Sequence, residues 1–548
     1  MKNILILGAG LMQKPAILSA KELGFHTVVI DADKNAVAIK YADEFFQVDL
    51  KDKEGILKLC TRLKNETEGG LAGVFTAGTD FSASVSYVCE KLGLPAHSYN
   101  AALNASIKTR MRQCFSDCSV PSPKFYKACK EDINDSLYSD IMKNMELPLV
   151  VKPVDNMGAR GCRMVRNKNE FLPAVQAAAA FSRTGYAIIE QYMEGPEFSI
   201  DALVYNGKFI VTGFAIRHIK YEPYFIEIGH TMPAVLDQKM HDELISVFAL
   251  GAKAEGLTCG AAKADIKYTA KGPMIGEIAG RLSGGYMSGW TYPYASDLNL
   301  TKQGILIAAG EEPEELLKRA VPVTFTPSEL CQNAQKPYEL YEVPCVRVSA
   351  ERAWMSIPGT VEYIENIEDY TDQAVRDVLP RASVKIGSEV DFPRNNVEKC
   401  GNIIAVSKDR EIAIQAAESA VSNTFITLKP CNEKTDEYLR GSELADEEAF
   451  PPYAFAKLNN EQLELLDKLI PVPADEKIQN FLPEMLTTQE FCNLTDWNYN
   501  TILSTVQKFD ILRPKHPKLN SKDFWCALMR GGIQGAVYYS DTCKAGEK

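Results

Sequence analysis

The first residues that could do chemistry lie in a glycine-bearing loop between two short apolar runs. Lys152 stands where the run Leu149 to Val151 ends, and the polar loop from Asp155 to Gly161 follows it. Free N–H groups in such a loop, next to an ammonium at a strand end, are suited to hold phosphate oxygens. The loop leads into another strand, and the chain has no GxxxxGK[ST] motif, so this is not a P-loop. The stretch predicts a phosphate-binding hairpin, with a plain surface turn as the alternative.

Two acidic residues stand further along in strand-like, apolar surroundings. Asp265 lies in TCGAAKADIKY and Glu277 lies in PMIGEIAGRLSGGY. A hairpin that turns at Lys271 and Gly272 would bring the two carboxylates side by side. Paired carboxylates repel each other unless a cation lies between them, and their hard oxygen atoms suit Mg²⁺. The pattern predicts a magnesium site, and two separately solvated acids are the alternative.

A basic helix, Lys108 to Arg112, precedes these stretches and runs into a turn at Pro121 and Pro123. Basic helices are usually solvated faces. Placed beside Lys152, however, Lys108 would add a second cation for phosphate. We therefore treat Lys108 as a candidate phosphate ligand.

Residues 1–105 alternate strand and helix signals, a pattern typical of a parallel sheet with helices on both faces. Gly8, Gly10 and Asp31 resemble a dinucleotide fingerprint, but Gln13 occupies its third glycine position. We therefore expect a scaffold or substrate-side domain rather than an NAD-binding one.

Composition limits the remaining classes. The chain has 548 residues, of which 46% are hydrophobic and 24% charged, with a net charge of −12, so several globular domains are expected. The negative charge disfavours nucleic acid and anionic membranes as partners. The fourteen cysteines form no CxxC pair, and the start of the chain is interpreted as a strand and not as a signal peptide. We expect no membrane span and a reducing cytoplasmic location.

In this order and spacing, the motifs resemble the ATP-grasp superfamily, within it the carboxylate–amine ligases related to biotin carboxylase, carbamoyl-phosphate synthetase and the L-amino-acid ligases. The resemblance implies a multidomain fold of α/β and α+β class. Its expected parts follow the chain in order: a Rossmann-like pre-ATP-grasp domain at 1–105, an ATP-grasp domain of two subdomains at 106–330, a closing subdomain at 331–430, an acidic, proline-containing linker at 431–452 and an accessory module at 453–548.

The resemblance also implies which residues bind ATP. Lys108 matches the family lysine that enters from the linker helix, and Lys152 matches the lysine that contacts the α- and β-phosphates. The loop Asp155 to Gly161 looks like the mobile loop that covers the triphosphate. In IIEQYMEGPEFSID, Glu190 would lie near the adenine amino group and Glu197 would bind the ribose hydroxyls. The implied ATP-binding residues are Lys108, Lys152, Asp155, Asn156, Gly158, Ala159, Arg160, Gly161, Glu190, Gln191, Met193 and Glu197, of which Gln191 and Met193 would act through their backbone.

Asp265 and Glu277 match the magnesium carboxylates of the family. The family usually has Glu-x-Asn at the second position, whereas this chain has Ala279 there, which puts the affinity or number of metal ions in doubt. Arg281 matches the arginine that neutralises the acyl phosphate and the oxyanion, and the residues 283–285 (Ser-Gly-Gly) follow it as a substrate loop.

The stretch EPYFIEIGHTMPA resembles one that carries a glutamate and a histidine towards the γ-phosphate or substrate, here Glu227 and His230. A lone histidine is more often a structural residue, and with this resemblance both interpretations of His230 stay open.

The resemblance implies a ligase that uses ATP and Mg²⁺, or Mn²⁺, to activate a carboxylate as an acyl phosphate for attack by an amine. The expected partners are small-molecule substrates, with a homodimer left open. Two alternatives remain: a carboxylase that acts through carboxyphosphate, and a nucleotide-gated regulator that uses its C-terminal module.

The last hundred residues match nothing expected of the family. The stretch from Leu486 to Pro514 predicts two short helices around a turn at Asp496, followed by a strand, which is a winged-helix-like order. The candidate recognition helix, Tyr499 to Phe509, has Lys508 as its only cation. We therefore favour a docking or substrate-gating module, joined by a linker with few apolar residues, over a DNA-binding one.

Overall fold

The structure, a computed structural model, describes residues 1–365, 374–440 and 450–546. The chain divides into two compact units. The first comprises Met1–His218 and His230–Ser349, and the second comprises Ile219–Gly229 and Ala350–Lys548. The predicted mixture of α/β and α+β regions is confirmed. None of the helices in the described ranges has the length and apolar character that a membrane crossing requires.

The first unit begins with the predicted parallel sheet, in the strand order β3-β2-β1-β4. Its strands are β1 (Asn3–Leu7), β2 (His26–Asp31), β3 (Glu44–Gln47) and β4 (Leu71–Phe75). The helices of this region are α1 (Lys14–Glu22), α2 (Lys53–Glu66), α3 (Ser82–Leu92) and α4 (Tyr99–Ser106). Gln13 accepts the Gly10 N–H at 3.0 Å, and Asp31 accepts the Ala9 N–H at 2.8 Å. The N–H groups of the glycine turn therefore bond within this region.

A second, antiparallel sheet carries the predicted hairpin. After α5 (Lys108–Asp117) come β5 (Phe125–Cys129), α6 (Asp135–Ile141), β6 (Leu149–Pro153), β7 (Arg163–Val165), α7 (Lys168–Phe181) and β8 (Tyr186–Gln191). The strands lie in the order β5-β8-β6-β7. Strands β6 and β7 pair antiparallel on either side of the glycine-bearing loop, so the predicted strand–loop–strand arrangement is confirmed.

The largest sheet of the first unit positions the acidic residues. It follows the order β13-β12-β9-β10, with β15 parallel to β10 and β14 paired to β15. The elements of this region are β9 (Glu197–Tyr205), β10 (Lys208–Lys220), β11 (Ile226–Met232), α8 (Gln238–Glu255), β12 (Gly260–Thr269), β13 (Gly272–Ala279), α9 (Tyr292–Ser296), α10 (Leu300–Ala308), α11 (Glu314–Arg319), β14 (Val321–Pro322) and β15 (Glu339–Glu342). The β9–β10 turn has positive φ at Asn206 (47°) and Gly207 (78°), as a tight two-residue hairpin turn of the Asn-Gly type requires.

The second unit contains two small groups of strands, in the orders β16-β20-β18 and β19-β17-β21. Its elements are β16 (Val348–Trp354), β17 (Gly359–Glu365), β18 (Val375–Pro380), β19 (Glu389–Val390), β20 (Gly401–Ser407), α12 (Arg410–Ser422), β21 (Phe425–Leu428), α13 (Glu433–Arg440), α14 (Asn460–Asp467), α15 (Ile502–Leu512) and α16 (Ser521–Gly546). Strand β20 leads directly into helix α12.

The C-terminal region is helical, and two details of its prediction are wrong. Within the described residues after 450, α15 is followed by α16, where a strand was predicted, and the first predicted helix is replaced by a 3₁₀ turn at Glu484–Thr487. The predicted linker also contains a helix, α13, whose Tyr438 is buried. The rest of that linker, residues 441–449, lies outside the described residues.

The C-terminal helices share a hydrophobic core with the strands before them. Trp354 and Ile357 pack in one cluster with Tyr438, Trp497 and Tyr538. The expectation that the linker has few large apolar residues with which to bind its neighbours is therefore wrong, because Tyr438 and Phe450 of residues 431–452 pack in this core. Aromatic side chains from both sides of residue 430 fill it.

Candidate active site

The predicted phosphate-side cations converge in the first unit. Lys108 is the first residue of α5, and its Nζ donates to the Asn156 carbonyl of the glycine-bearing loop at 2.9 Å. The same Nζ lies 3.3 Å from Glu277 Oε1. Burial opposes the charge on Lys108, but Glu277 and Asp80 outweigh burial and raise the pKa of the ammonium. Lys108 is therefore charged at neutral pH, as phosphate binding requires.

Glu190 forms ion pairs with two further cations, Lys152 and Arg112. Lys152 Nζ lies 2.6 Å from Glu190 Oε2, and Arg112 Nε donates to Glu190 Oε1 at 2.8 Å. Burial alone would raise the pKa of Glu190, but Arg112 and Lys152 lower it. Both carboxylate oxygens thus face cations, and Glu190 orients the lysine that we expected to contact phosphate. We refer to Lys108, Arg112 and Lys152 as the basic cluster.

The glycine-bearing loop is anchored at one end by Asp155. Its Oδ1 accepts from Ser182 Oγ and the Arg183 N–H, both at 2.9 Å, and its Oδ2 accepts from Thr184 Oγ1 at 2.9 Å. This carboxylate therefore holds the turn after α7. Gly158, Ala159 and Gly161 all have positive φ, and Arg160 Nε donates to the Met157 carbonyl within the same loop.

The predicted adenine-side residues lie at and just beyond the end of β8. The side-chain amide of Gln191 forms hydrogen bonds with backbone atoms of Glu146 and Pro148. The backbone N–H of Gln191 donates to the Lys124 carbonyl at 3.0 Å. The Met193 carbonyl accepts from Lys267 Nζ at 3.1 Å. Gln191 therefore supports the segment before β6, and the adenine contacts of both residues stay predictions.

Charged side chains of four adjacent strands lie opposite one another: Glu197 of β9 pairs with Arg217 of β10 and Lys267 of β12, and Asp265 of β12 pairs with Glu277 of β13. Along β12 the charged residues alternate with apolar ones, because successive residues of a strand point to opposite faces. Arg217 Nη1 contacts Glu197 Oε1 at 2.5 Å and Asp265 Oδ2 at 3.2 Å. Lys263 Nζ also contacts Asp265 Oδ2. We call this set the charged face; its members are Glu197, Arg217, Lys263, Asp265, Lys267 and Glu277.

The predicted pairing of the two acids is confirmed, because Asp265 of β12 lies directly opposite Glu277 of β13. Burial raises the pKa of Glu277, but Lys108, Lys263, Lys152 and Arg281 together lower it to about 2. Asp265 Oδ1 is buried and has no hydrogen-bond partner among the described residues. An ionised carboxylate beside an unpartnered carboxylate oxygen fits a bound cation.

The two carboxylates of this pair suit Mg²⁺ that is bound jointly by the protein and the nucleotide phosphates. Within the described ranges, no group of three or more His, Cys, Asp or Glu side chains is arranged to hold a metal ion. Mg²⁺ is commonly bound by one or two carboxylates together with substrate phosphates and water. Two carboxylates next to the basic cluster match that mode, in which the nucleotide completes the coordination.

The substrate loop after Arg281 is held by a buried carboxylate, Asp201. Its Oδ2 accepts from the Ser283 N–H at 3.0 Å and from Ser283 Oγ at 2.8 Å. Its Oδ1 is buried without a partner among the described residues. Burial is the main cause that raises the pKa of Asp201 to about 6, opposed by the Ser283 bonds and by Lys263 and Arg281. Asp201 therefore positions the loop and carries a charge that burial disfavours.

This burial has a measurable effect on stability. The Asp201 carboxyl is protonated in both states below pH about 4 and ionised in both above about 6, and between these values the folded state binds more protons. The free energy of unfolding therefore falls as pH rises through this window. The fall is about 3 kcal/mol for a pKa raised by about two units. We expect Asp201→Asn to remove this loss, so the stability of the variant should fall less than that of the wild type between pH 5 and pH 8.

Hydrogen exchange of β9 at pH 5 and pH 8, without nucleotide, would measure this effect in the first unit. Asp496 in the second unit also has its pKa raised to about 6, chiefly by burial. Because Asp496 is present in both proteins, the difference between them isolates Asp201. Equal pH dependence in wild type and variant would contradict the prediction.

Glu227 and His230 lie on β11. Glu227 belongs to the second unit, where Lys399 Nζ lies 3.5 Å from Glu227 Oε1 and donates to the Glu227 carbonyl at 2.7 Å. His230 belongs to the first unit and is buried. Their predicted approach to the γ-phosphate or substrate stays a prediction.

Sequence reasoning missed several members of the site. Arg112 lies four residues after Lys108, on the same face of α5, so helical spacing could have indicated it. Lys263 and Lys267 flank Asp265 at the two-residue spacing of a strand, which was a readable signal. Asp201 had no such signal, because Ser283 is distant in the sequence.

Family comparisons agree with this geometry. Three family profiles match along the chain: "ATP-grasp N-terminal domain" at residues 17–96, "ATP-grasp domain" at 145–289 and "L-amino acid ligase C-terminal domain 2" at 353–429. The central match contains Lys152, Glu190, Asp265 and Glu277. The N-terminal match begins within α1 and extends through α3, so it contains β2, β3 and β4 of the parallel sheet.

Individual relatives are distant in sequence. Uncharacterized protein y4rH of Sinorhizobium fredii is 22% identical over 444 residues, which are 80% of this chain and 83% of that protein. Carnosine synthase 1 of Mus musculus is 24% identical over 334 residues, or 57% of this chain, and the match spans only 40% of that synthase.

Solved structures share the fold. The L-amino acid ligase from Bacillus licheniformis superimposes with a TM-score of 0.64 at 18% identity, covering 78% of this chain and 99% of that one. Phosphoribosylglycinamide synthetase from Anaerococcus prevotii has a TM-score of 0.58 at 20% identity, covering 78% and 100%. With the three profiles in consecutive order and this fold, the chain belongs to the ATP-grasp superfamily and is an enzyme of its ADP-forming carboxylate–amine ligase type.

Proposed function

We propose that the protein uses ATP and Mg²⁺ to join the carboxylate of an amino acid or a peptide-like acid to an amine. The observation that carries this proposal is the approach of the basic cluster to paired carboxylates, through the 3.3 Å contact between Lys108 and Glu277. Cations for phosphate and acids for a metal then share one wall of one site. Proteins catalyse phosphoryl transfer mainly by positioning the reactants and neutralising the charge on the phosphates.

The reaction proceeds in two steps. A carboxylate oxygen attacks the γ-phosphorus, the bond between that phosphorus and the bridging oxygen breaks, and ADP leaves with the electron pair. The amine nitrogen then attacks the acyl carbon, the C–O bond to phosphate breaks, and an amide and inorganic phosphate result. The nitrogen releases its proton to solvent or phosphate.

The chain's own residues hold the charges in place. Lys108 and Lys152 bind phosphate oxygens, and Glu190 keeps Lys152 oriented between binding events. Asp265 and Glu277 would hold Mg²⁺, which when bound neutralises charge on the phosphates. Arg281, positioned beside Asp201 and Ser283, stabilises the acyl phosphate and the tetrahedral oxyanion. Glu227 and His230 are proposed to face the substrate.

Two comparisons support an amino-acid substrate. The profile at residues 353–429 describes L-amino acid ligases, and the similarity to carnosine synthase extends over 57% of this chain. The proposed partners are accordingly small carboxylates and amines.

The decisive experiment is a screen of ADP release over pairs of carboxylates and amines. Release that requires both a carboxylate and an amine supports the ligase. Release that bicarbonate alone supports would instead indicate a carboxylase. Release that no substrate changes would contradict both and favour a nucleotide-gated regulator.

Lys152→Ala should weaken ATP binding about 10- to 100-fold, because a hydrogen bond to a charged group contributes about 1.5–3 kcal/mol. The fold should persist, since the side chain stands at the end of β6 and its loss leaves Glu190 paired with Arg112. Calorimetric titration with ATP would measure the change.

Lys143→Ala is the matched control in the same region of the chain. Lys143 is exposed, and within the part of the chain that the structure describes its ion pair is with its near neighbour Asp140, at 2.7 Å. Its loss should therefore leave ATP affinity unchanged. Equal ATP affinity in wild type and Lys152→Ala would remove Lys152 from the site.

A further inference from the structure

A short stretch of the chain before residue 350 belongs to the second unit. The chain enters that unit at Ile219 and returns to the first unit at His230, so the connection between β10 and β11 lies in the second unit. We call residues 219–229 the β10–β11 segment. Glu227, which is proposed to face the substrate, lies near its end. Contacts that hold this segment within the second unit therefore also fix the position of Glu227.

Two polar side chains after β19 bind the backbone of this segment at Glu227. Asn396 Oδ1 accepts the Glu227 N–H at 2.8 Å, and Lys399 Nζ donates to the Glu227 carbonyl at 2.7 Å. Lys399 is only 1% exposed. A hydrogen bond from a charged donor is stronger than one between neutral groups. These polar contacts fix the end of the segment.

Aromatic rings hold the beginning of the segment. Tyr221 meets the ring of Phe392 edge to face, with ring centroids 5.3 Å apart, and Tyr224 meets Phe450 in the same way at 4.6 Å. Tyr221 has a φ of 67°, a left-handed conformation that is unfavourable for a tyrosine and persists where the surrounding structure enforces it. The backbone of the segment therefore depends on these two phenylalanine rings.

The terminal region, residues 431–548, supplies one of these rings and supports the other. Phe450 belongs to it and contacts Phe392 as well as Tyr224, with 5.6 Å between the two phenylalanine centroids. Trp497 also packs edge to face on Phe392, at 5.0 Å. Phe392 is fully buried, and edge-to-face pairs add stability beyond that of the apolar area they bury. A continuous set of aromatic contacts thus joins the terminal region to the β10–β11 segment.

Trp497 lies in a turn that is itself fixed by hydrogen bonds. One carboxylate oxygen of Asp496 accepts the N–H groups of Asn498 and Asn500, at 2.8 and 2.9 Å. The Asn498 side chain in turn bonds both backbone polar groups of Met355. The turn therefore keeps the tryptophan ring in one place.

We propose that the terminal region positions the substrate-facing glutamate: its rings Phe450 and Trp497 hold the β10–β11 segment, and the segment holds Glu227 against the substrate. Both aromatic residues are positioning residues, which act through Tyr224 and Phe392. This proposal rests on the proposed ligase function and gives the terminal region a part in binding the carboxylate or the amine. The proposed ATP-binding residues lie in the first unit, so ATP binding should not depend on this packing.

Hydrogen exchange of the full-length chain, followed by mass spectrometry without ligands, tests the mechanical link. Phe450→Leu removes the ring from Tyr224 but keeps an apolar side chain. We expect residues 219–229 to exchange about 3- to 10-fold faster, the scale of one lost edge-to-face pair, while β20 exchanges as in wild type. Phe450→Tyr keeps the ring and should keep the wild-type rate. Tyr363→Leu, which alters an exposed ring of the same unit, is the matched control.

ADP release tests the consequence for the substrate. Phe450→Leu should raise KM for the carboxylate or the amine about 3- to 10-fold, with a smaller change in kcat and an unchanged KM for ATP. Tyr224→Leu should do the same. The double variant should be no worse than either single variant, because both substitutions remove one shared contact. A purely structural role would instead lower the active fraction and leave every KM unchanged.

An unchanged exchange rate of residues 219–229 in Phe450→Leu would overturn the proposal, and so would faster exchange with unchanged KM values or a parallel rise in KM for ATP. If Phe450→Leu does not fold, Tyr224→Leu changes the other ring of the same pair and decides by the same two measurements. ADP release in wild type that no pair of carboxylate and amine stimulates would overturn the ligase function, and this proposal with it.

Discussion

Glu277→Gln is expected to reduce ADP release by about 10²- to 10³-fold, the scale found when a single group that stabilises transition-state charge is removed. Glu277 is the acid that Lys108 contacts, and with Ala279 in place of asparagine it must supply more of the metal's protein oxygens. A neutral amide binds Mg²⁺ more weakly than a carboxylate. The loss should be larger than in Asp265→Asn and should grow as Mg²⁺ is lowered.

Nucleotide binding separates this effect from general damage. Without Glu277, the basic cluster keeps its positive charges and loses a neighbouring negative one, so ATP affinity measured in EDTA should be equal or higher. Glu311→Gln, which changes an exposed acid, controls for the substitution itself. Equal activity of wild type and Glu277→Gln at low Mg²⁺ would remove the metal assignment.

Removal of residues 431–548 is expected to unfold the remainder of the second unit. Trp354 and Ile357 would lose their packing against Trp497 and Tyr538. Truncation of one buried aromatic side chain to alanine costs about 3–5 kcal/mol. The free energy of unfolding of a whole domain is only about 5–15 kcal/mol. Losing several such contacts together exceeds what the shortened unit can sustain.

Buried hydrogen bonds would be lost with that packing. Asn498 accepts from the Met355 N–H at 2.9 Å and donates to the Met355 carbonyl at 3.0 Å. Gln534 accepts from the Ile357 N–H at 3.1 Å and donates to the Ile426 carbonyl at 2.8 Å. Backbone groups of segments before residue 430 are therefore hydrogen-bonded by side chains of residues after 430.

Limited proteolysis with mass spectrometry would locate the damage, and we expect rapid cleavage between residues 350 and 430. A chain that lacks only residues 547 and 548 serves as the control. If the chain that ends at residue 430 keeps a resistant second unit and a cooperative unfolding transition, the terminal region is an independent appendage after all.

The terminal region also shows a limit of sequence-based prediction: the packing partner of a helix cannot be predicted from its local pattern. The sequence places Lys508 on a candidate recognition helix, yet in the structure its Nζ donates to Asn500 Oδ1 at 2.7 Å and to the Ser422 carbonyl at 2.5 Å. The helical period was readable from the sequence, but the partner of each helix face was not. A surface for DNA and a surface for packing have the same local pattern until the neighbouring elements are placed.

Local patterns determined what the sequence alone could establish. The order of strands and helices in the first hundred residues, the β6–β7 hairpin and the pairing of Asp265 with Glu277 all follow from neighbouring residues, turn chemistry and periodicity. The family resemblance came from these same stretches. Each depends on contacts between segments close in the chain, where few alternative pairings exist.

The tertiary structure alone decided how these pieces meet. It paired Glu190 with both Lys152 and Arg112, bound Ser283 to Asp201, and brought Ser82 to a cavity at Arg281. Such contacts link segments far apart in sequence, and many pairings of charge would satisfy the same composition. Burial then selects among them, because a charge removed from water is tolerated only where a partner, or a ligand, meets it.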